Sequence, residues 1–318
     1  LLKDLPDIQE LKNLEVVDIS GAHGLQTCFD NTPGEKKNKS KNVNFHHLRQ
    51  LQLLDLSESQ IDMLPMFQDA EEAAKIHSLK RLLLRNCRKL VKLPNLKPLS
   101  GLQILDLSGT ISLVKILEVC FEDKKELRSL NLSGANIRQL PSTIEELSNL
   151  DELLLRDCTN LESLPNIEKL TNLEVFDVCG CTKLHTIEGS FEDMSYMRDV
   201  NLSGTKVSIP PELPKETKLR CSKRITLADG SVFEGEIWSK ITEAITIQMT
   251  GNPSSSEAVV KSQEIIENEP EETREIQPSE TRTSKSTEEG GFTKERLLQV
   301  PIKRDIYKSI LSHFDSIS

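Results

Sequence analysis

The amino-acid sequence predicts an α/β solenoid in which short parallel strands line one face and loops and short helices form the other. Three observations support this prediction: a leucine-rich template that recurs along the chain, an alternation of apolar residues inside each copy, and Leu-Pro pairs between copies. The template reads L-x-x-L-x-x-L-x-L, and its first position falls at 11, 48, 76, 99, 124, 147, 170 and 194. The spacings of 37, 28, 23, 25, 23, 23 and 24 residues indicate eight repeats of one structural unit.

Each repeat is predicted to contain a short strand. Leu153 and Leu155 are two residues apart, the spacing that places both side chains on one face of a strand and the residue between them on the other. One face of the strand is therefore buried and the other faces solvent. Because a unit of about 23 residues buries too little apolar surface to fold alone, neighbouring units must stack into one continuous core.

Leu-Pro pairs mark the flank of each repeat that lies away from the strand. They begin at Leu64, Leu93, Leu140 and Leu164. Proline fixes φ and lacks a backbone donor, so irregular or short helical turns are expected on this flank. The pattern predicts a leucine-rich-repeat horseshoe, with a parallel sheet on the concave face and loops and short helices on the convex face.

A column of small residues follows the predicted strands. The position three residues after the last strand leucine holds Ala22, Ser59, Cys87, Thr110, Ala135, Cys158, Cys181 and Thr205. A position that accepts Ala, Ser, Thr and Cys equally selects for small volume, and a free buried cysteine behaves as a small hydrophobe. Cys158 is therefore predicted to be a packing residue. A metal site at Cys179 and Cys181 is the less favoured alternative, because Cys179 falls on the open face of its strand.

Composition and motifs argue against an enzyme. The chain has 318 residues, a formal net charge of −10 and seven cysteines. It contains no G-x-x-x-x-G-K-[ST] phosphate loop, no H-E-x-x-H, no C-x-x-C and no G-x-S-x-G, and no charged-then-apolar leader or long apolar span. We expect no catalytic, cofactor-binding or metal-ligating residue, no membrane span and no nucleic-acid partner. The expected location is cytoplasmic, with a nuclear location left open.

The concave face is the candidate functional surface. The residue between the two strand leucines is Asp, Asn or Leu, and two residues later come Ser, Cys or Arg. Leu83 with Arg85 and Leu154 with Arg156 differ from the surrounding polar residues, and exposed leucines beside arginines are typical of protein contact centres. The predicted protein-binding residues are Asp55, Leu83, Arg85, Asp106, Asn131, Leu154, Arg156, Asp177 and Asn201. For any one of them, the alternative is that a polar column only keeps a parallel sheet soluble.

The repeat pattern stops near residue 220, and we expect the array to start before Leu1 because Leu5-Pro6 matches the end of a preceding repeat. Asp229-Gly230 predicts a hairpin turn, and the acidic Ser-, Thr- and Glu-rich segment after it has too few apolar residues to fold. The predicted segments are a solenoid of about eight repeats at 1–220, a hairpin-like cap at 221–250, a disordered linker at 251–293 and a short amphipathic helix at 294–318.

Two stretches, "LLLRDCTNLESLPNIEKLTNLEVFDVCGCTKL" and "LNLSGANIRQLPSTIEELSNL", resemble the repeat region of plant intracellular nucleotide-binding leucine-rich-repeat disease resistance proteins. The resemblance covers about residues 1–220. It rests on the alternation of "LLLRDC" and "LDLSG" units, the recurring Leu-Pro pair and repeat lengths near 23 to 25. The G-x-I-P turn of plant extracellular repeats is missing, which favours the intracellular class.

The resemblance implies a protein-recognition module of a plant innate immune receptor. Such a module senses pathogen effectors or modified host proteins and restrains an upstream nucleotide-binding switch through intramolecular contact. ADP or ATP is expected only if such an upstream domain exists, and no residue of this chain is assigned to it. The alternative is a leucine-rich-repeat adaptor or scaffold that has no nucleotide switch.

Overall fold

The computed structural model describes residues 11–25, 45, 48–64, 67, 77–208, 210–219 and 221–250. Within these residues, ten strands form one sheet and two form another. The strands are β1 Val16–Asp18, β2 Leu53–Asp55, β3 Arg81–Leu83, β4 Ile104–Asp106, β5 Ser129–Asn131, β6 Glu152–Leu154, β7 Ser163–Leu164, β8 Val175–Asp177, β9 Thr186–Ile187, β10 Asp199–Asn201, β11 Lys223–Thr226 and β12 Val232–Gly235. The linker and helix predicted at 251–293 and 294–318 lie outside the described residues.

One strand from each repeat enters the main sheet. The eight strands β1, β2, β3, β4, β5, β6, β8 and β10 are parallel neighbours in that order, and equivalent residues are paired. Leu153, for example, pairs with Leu130 on one side and Phe176 on the other. This register confirms the predicted leucine-rich-repeat solenoid. The repeats are numbered one to eight after these strands.

The core is made of apolar side chains from the same positions of every repeat. Leu153 and Leu155 are completely buried, as the strand alternation predicted. Burying a leucine side chain contributes about 1.5–3 kcal/mol. Since each repeat packs mainly on its two neighbours, this stabilisation belongs to the stack rather than to any single repeat.

The convex flank contains short elements. Two 3-10 helices span Glu118–Cys120 and Ser142–Glu146, and β7 pairs in parallel with β9. Pro141 precedes the second helix with a φ of −66°, so the expected helical turn follows that Leu-Pro pair. At Leu164 the expectation was wrong, because this residue lies in β7. Pro165 lacks only its own backbone N–H. The carbonyl of the preceding Leu164 can still accept a hydrogen bond, and it does so from Glu188 N at 3.3 Å.

The main sheet continues beyond the eighth repeat. β11 pairs in parallel with β10, and β12 returns antiparallel to β11 around Asp229 and Gly230. Asp229 accepts the Ser231 N–H at 2.9 Å, and Gly230 has a φ of +87°, a conformation that favours glycine. These contacts explain why the Asp-Gly pair forms the turn.

A helix follows the hairpin and covers the end of the core. α1 spans Trp238–Thr250, a segment for which the sequence predicted a hairpin alone. Ile241 and Ile245 are buried with Trp238, whose indole Nε1 donates to the Met197 carbonyl at 3.0 Å. The apolar spacing of three and four residues supplies one buried helical face. No helix in the described part of the chain has the length and apolar character needed to cross a membrane.

Candidate protein-binding face

The predicted protein-binding residues lie along the solvent-facing side of the main sheet in two columns. The in-register pairing stacks the last residue of each strand into a central column: Asp18, Asp55, Leu83, Asp106, Asn131, Leu154, Asp177 and Asn201. Two residues later, the following column contains Ser20, Ser57, Arg85, Ser108, Ser133, Arg156, Cys179 and Ser203. The structure thus places all nine predicted residues on one side of the sheet, where four of them are buried: Asp106, Asn131, Leu154 and Asp177.

An Asp or Asn in the central column closes the end of its own strand. The Oδ1 atom accepts the backbone N–H two residues later, as in Asp55 to Ser57 at 2.9 Å and Asn201 to Ser203 at 3.2 Å. The same bond forms in six repeats, at Asp18, Asp55, Asp106, Asn131, Asp177 and Asn201. Such a turn is local and needs no partner protein. Strand geometry therefore accounts for these six residues.

The third and sixth repeats, hereafter the Leu-Arg repeats, break this rule. Among the eight repeat strands, theirs end in leucines, Leu83 and Leu154, which offer no side-chain acceptor. In the third repeat, the Arg85 N–H donates instead to the Ser57 hydroxyl of the preceding repeat at 3.2 Å. The strand-end turn is thus dispensable at these two places, and an arginine occupies the position that is Ser or Cys elsewhere.

Each arginine reaches a carboxylate in the repeat that follows. Arg85 Nε lies 3.2 Å from Asp106 Oδ2, and Arg156 Nε lies 3.6 Å from Asp177 Oδ2. Each aspartate therefore uses Oδ1 for its own strand-end turn and Oδ2 for the arginine. Arg85 Nε makes no hydrogen bond, so its contact with Asp106 is an ion pair only. The arginine side chains remain 43% and 46% exposed, and both are therefore accessible from the concave side.

The central column has two electrostatic environments. Burial raises the pKa of Asp106 and of Asp177, and this effect is opposed by hydrogen bonds from Ser108 and Cys179 and by the neighbouring arginines. In the first repeat, hydrogen bonds from Ser20 lower the pKa of Asp18. The difference follows from burial, because Asp106 and Asp177 are buried whereas Asp18 is exposed.

The prediction of two exposed leucines was wrong for Leu154. Its exposed fraction is 8%, whereas Leu83 is half-buried. The register places Asn131 and Asp177 directly beside Leu154, and all three are closely packed. In the sixth repeat the accessible group is therefore Arg156, while the third repeat presents both Leu83 and Arg85.

A third column on this face was not predicted from the sequence. It contains the first residue of each strand: Val16, Leu53, Arg81, Ile104, Ser129, Glu152, Val175 and Asp199. Here Ser129 Oγ donates to Glu152 Oε2 at 3.0 Å, and burial raises the pKa of Glu152. The same alternation that located the central column could have found it, since residues two apart share a strand face.

The cysteines of the small column are packing residues. Cys87, Cys158 and Cys181 are completely buried, and each thiol donates to a carbonyl of the preceding repeat at 3.0–3.1 Å. Burial raises the pKa of the Cys87 thiol, and the hydrogen bond to Cys158 together with burial raises that of Cys181, the pKa of which lies far above neutrality. The packing role predicted for Cys158 is therefore confirmed.

Cys179 and Cys181 lie on different sides of the sheet. Cys179 is on the concave face and accepts a hydrogen bond from Ser203 Oγ at 3.1 Å, whereas Cys181 is in the core. The two thiols therefore cannot bind the same metal ion, although the two cysteines are only two residues apart in the sequence. Within the described ranges, no group of three His, Cys, Asp or Glu side chains is placed to hold a metal ion.

Comparison with known proteins identifies the class of this chain. Residues 114–181 match the family model described as R13L1/DRL21 leucine-rich repeats. A probable disease resistance protein of Arabidopsis thaliana is 63% identical over 299 residues, covering 94% of this chain and 24% of that protein. The chain is a leucine-rich-repeat region of the plant disease-resistance class. The resemblance seen in its sequence to such proteins is thereby confirmed.

Further disease-resistance relatives come from the same plant. One is 48% identical over 237 residues, covering 71% of this chain and 20% of that protein. Disease resistance protein RRS1 is 30% identical over 252 residues, covering 67% of this chain and 18% of that protein. This disease-resistance repeat region thus spans about a quarter or less of the length of the relatives it matches.

A solved structure shows the same fold. The leucine-rich-repeat domain of the type III effector XopL aligns with a TM-score of 0.53 at 23% identity, covering 66% of this chain and 68% of that domain. At this identity the similarity concerns the fold alone. The solenoid and the disease-resistance relatives indicate a protein-interaction module rather than a typical enzyme.

Proposed function

We propose that this disease-resistance repeat region is the recognition part of a plant innate immune receptor, and that it senses a pathogen effector or a modified host protein through its concave face. The observation that carries the proposal is the departure of the two Leu-Arg repeats from the strand-end turn. Six repeats satisfy the local rule, and positions that break such a rule without a structural need are expected to be functional. The disease-resistance relatives support the same role.

The chemistry of the Leu-Arg repeats suits a protein partner. Interface centres are enriched in arginine and apolar side chains. Arg85 and Arg156 form ion pairs with Asp106 and Asp177, and a side chain that is already paired loses less conformational entropy on binding. The N–H groups of a planar guanidinium can then donate to a carboxylate or backbone carbonyl of the partner with a fixed geometry. Leu83 adds apolar contact area beside the first of the two arginines.

The proposal includes regulation of an upstream nucleotide-binding switch. Binding at the concave face would be linked to ADP or ATP binding in that domain by a coupling free energy, and the partner would shift the population of switch states by its differential affinity. The expected location of the receptor is the cytoplasm. Sequencing of the transcript upstream of the codon for Leu1 tests this part. An in-frame phosphate loop supports the receptor, and a start codon followed only by repeats supports the adaptor.

The recognition role is tested by proximity labelling in pathogen-challenged leaves. The chain is fused to a promiscuous biotin ligase and compared with the double variant Arg85→Glu/Arg156→Glu. A matched control, Lys206→Glu/Lys240→Glu, reverses the same number of charges at exposed positions away from the main sheet face. Proteins that are labelled by the wild type and the control, but lost with the double arginine variant, support the proposal. Identical profiles for all three would remove its basis.

A further inference from the structure

Positive charge is concentrated in and just after the third repeat. Residues 77–105 contain seven cations and no carboxylate, in a chain whose net charge is −10. The cations are Lys80, Arg81, Arg85, Arg88, Lys89, Lys92 and Lys97. Arg85 and Lys97 pair with Asp106 and Glu122 of the next repeat. The other five form no ion pair with a described residue, so most of this positive charge is not neutralised within the described fold.

Three of the cations lie on the segment that leaves β3. Arg88, Lys89 and Lys92 are exposed, and they follow the strand on its way to the convex flank rather than on the concave face. The segment after β4 has the same spacing, so Lys115 occupies in the fourth repeat the position of Lys92 in the third. Two neighbouring repeats therefore present lysines side by side.

Exposed aliphatic residues stand among these cations. Val91 and Val114 are equivalent positions of the two repeats, and they are 48% and 55% exposed. Ile111 and Leu117, three residues before and after Val114 in the sequence, are 53% and 47% exposed. Single exposed apolar residues are normal on protein surfaces, but a contiguous group is a mark of an interaction site.

The solenoid does not require apolar residues at these positions. Eight residues after the end of β6 and of β8, the places of Val91 and Val114 are taken by Glu162 and His185. The repeat fold is the same in both pairs of repeats, so the valines are a local feature of the third and fourth repeats. Their exposure leaves apolar area in water, which a partner could cover.

We propose that an exit surface, defined as Arg88, Lys89, Val91, Lys92, Val114 and Lys115, binds an acidic segment of a partner protein that carries aliphatic side chains. The lysines and arginine attract the carboxylates, and the two valines supply apolar contact between them. The surface lies off the concave face and uses neither Leu83 nor Arg156. The inference therefore goes beyond the proposed function and does not depend on it.

Charge and composition favour an acidic peptide over a nucleic acid. Residues 77–117 contain no Phe, Trp or Tyr, and the aromatic platforms on which single-stranded bases stack are therefore missing. Among the described residues, Asp62 and Glu118 border the surface. Val91 N donates to the Asp62 carbonyl, and the Glu118 carboxylate already accepts the Ser142 and Thr143 N–H groups at 3.2 and 3.0 Å. Glu118 is thus oriented toward the convex helix rather than toward the lysines.

The test measures fluorescence polarisation with the full chain and three labelled probes. The first is a synthetic peptide of alternating glutamate and leucine pairs, the second replaces its leucines with serine, and the third is a single-stranded RNA of similar length. Two variants address the exit surface separately: Lys89→Glu/Lys92→Glu removes its charge, and Val91→Ser/Val114→Ser removes its apolar part. Lys206→Glu/Lys240→Glu serves again as the charge control, and circular dichroism melts verify the fold of every variant.

The expected result is saturable binding of the glutamate-leucine peptide that weakens as salt rises, because the contact is partly electrostatic. Each exit-surface variant should weaken it by about tenfold or more, whereas the control should stay within about twofold. The serine peptide should bind more weakly than the leucine peptide. Absence of saturable binding at about 1 mM, tighter binding of the RNA, or equal binding by folded exit-surface variants would overturn the proposal.

Discussion

The sixth and seventh repeats share one template but differ at three neighbouring positions on the concave side. Leu154, Arg156 and Asp157 of the sixth repeat stand where the seventh has Asp177, Cys179 and Gly180. The differences are complementary. Arg156 pairs with Asp177, and a Cβ atom at Gly180 would overlap the Asp157 carboxylate.

The third and fourth repeats show the same arrangement. Arg85 pairs with Asp106, and a Cβ atom at Gly109 would overlap the Asn86 side chain. Asn86 and Asp157 have φ values of 55° and 56°, a left-handed conformation that Asn and Asp tolerate better than most residues. A Leu-Arg repeat is therefore accompanied by a successor that accommodates it, and the structural unit on this face is a pair of repeats.

The largest expected effect distinguishes the buried face from the concave face of the strands in the two Leu-Arg repeats. Leu153→Ala removes a completely buried side chain and should cost about 2–5 kcal/mol of unfolding free energy. Leu83→Ala removes a half-buried side chain on the concave face and should cost about 1 kcal/mol or less. Urea unfolding of the two variants measures the difference. Equal destabilisation would mean that the faces of the strands have been assigned incorrectly.

The fifth repeat differs from the other repeats in its core, where it contains a buried lysine. Lys124 occupies a position that is Leu, Ile or Met in the other repeats. It is buried, and its Nζ donates to the Glu122 and Lys97 carbonyls at 3.0 and 3.4 Å. Burial lowers the pKa of Lys124 to about 8. The folded state therefore disfavours the charged form, and stability should rise as the pH rises from about 8 toward 10.5.

The variant Lys124→Met tests this effect. Relative to the variant, the wild type should gain up to about 3 kcal/mol of unfolding free energy across that pH range. Denaturant melts of both proteins at pH 7, 9 and about 10.5 give the relative gain. A difference that stays constant with pH would show that Lys124 is as solvated in the folded state as in the unfolded chain.

The complementarity between neighbouring repeats predicts an inequality between two glycines. Gly134 and Gly180 have φ values of 73° and 74°, so alanine strains the backbone equally at both, by about 1–2 kcal/mol. At Gly134 the nearest atoms to a new Cβ belong to Gly109 at 3.6 Å, whereas at Gly180 the Asp157 carboxylate must move. Gly180→Ala should therefore lower the melting temperature more than Gly134→Ala, and the extra loss should disappear in the background Asp157→Gly.

The smallest expected effect concerns the charge of Asp177. Asp177→Asn keeps the Oδ1 acceptor for the Cys179 N–H, as Asn131 does for Ser133. Since burial raises the pKa of Asp177, the wild type loses stability as the carboxyl group ionises above its usual pKa of 3.8. The variant should thus be slightly more stable at pH 7, and its advantage should vanish at pH 3. A lower melting temperature at pH 7 would show that the Arg156 ion pair outweighs burial.

Much of this architecture could be predicted because the same pattern of apolar and small residues recurs in eight repeats, and each copy supports the assignment of the others. The positions of all eight repeat strands and the burial of Cys158 follow from columns of equivalent residues. What escaped prediction depends on contacts between columns. The burial of Leu154 results from its neighbours Asn131 and Asp177, and the helix at Trp238–Thr250 stands outside the repeat pattern, so no other copy was available for comparison.

The most direct test gives both Leu-Arg repeats the strand-end turn that the other six repeats contain. The variant combines Leu83→Asn, Arg85→Ser and Asn86→Gly with Leu154→Asn, Arg156→Ser and Asp157→Gly, so that each strand ends in the turn seen at Asn131. Its melting temperature and its proximity-labelling profile in challenged leaves are compared with those of the wild type. We expect a melting temperature at least equal to that of the wild type and loss of the labelled partners. An unchanged labelling profile in a folded variant would contradict it.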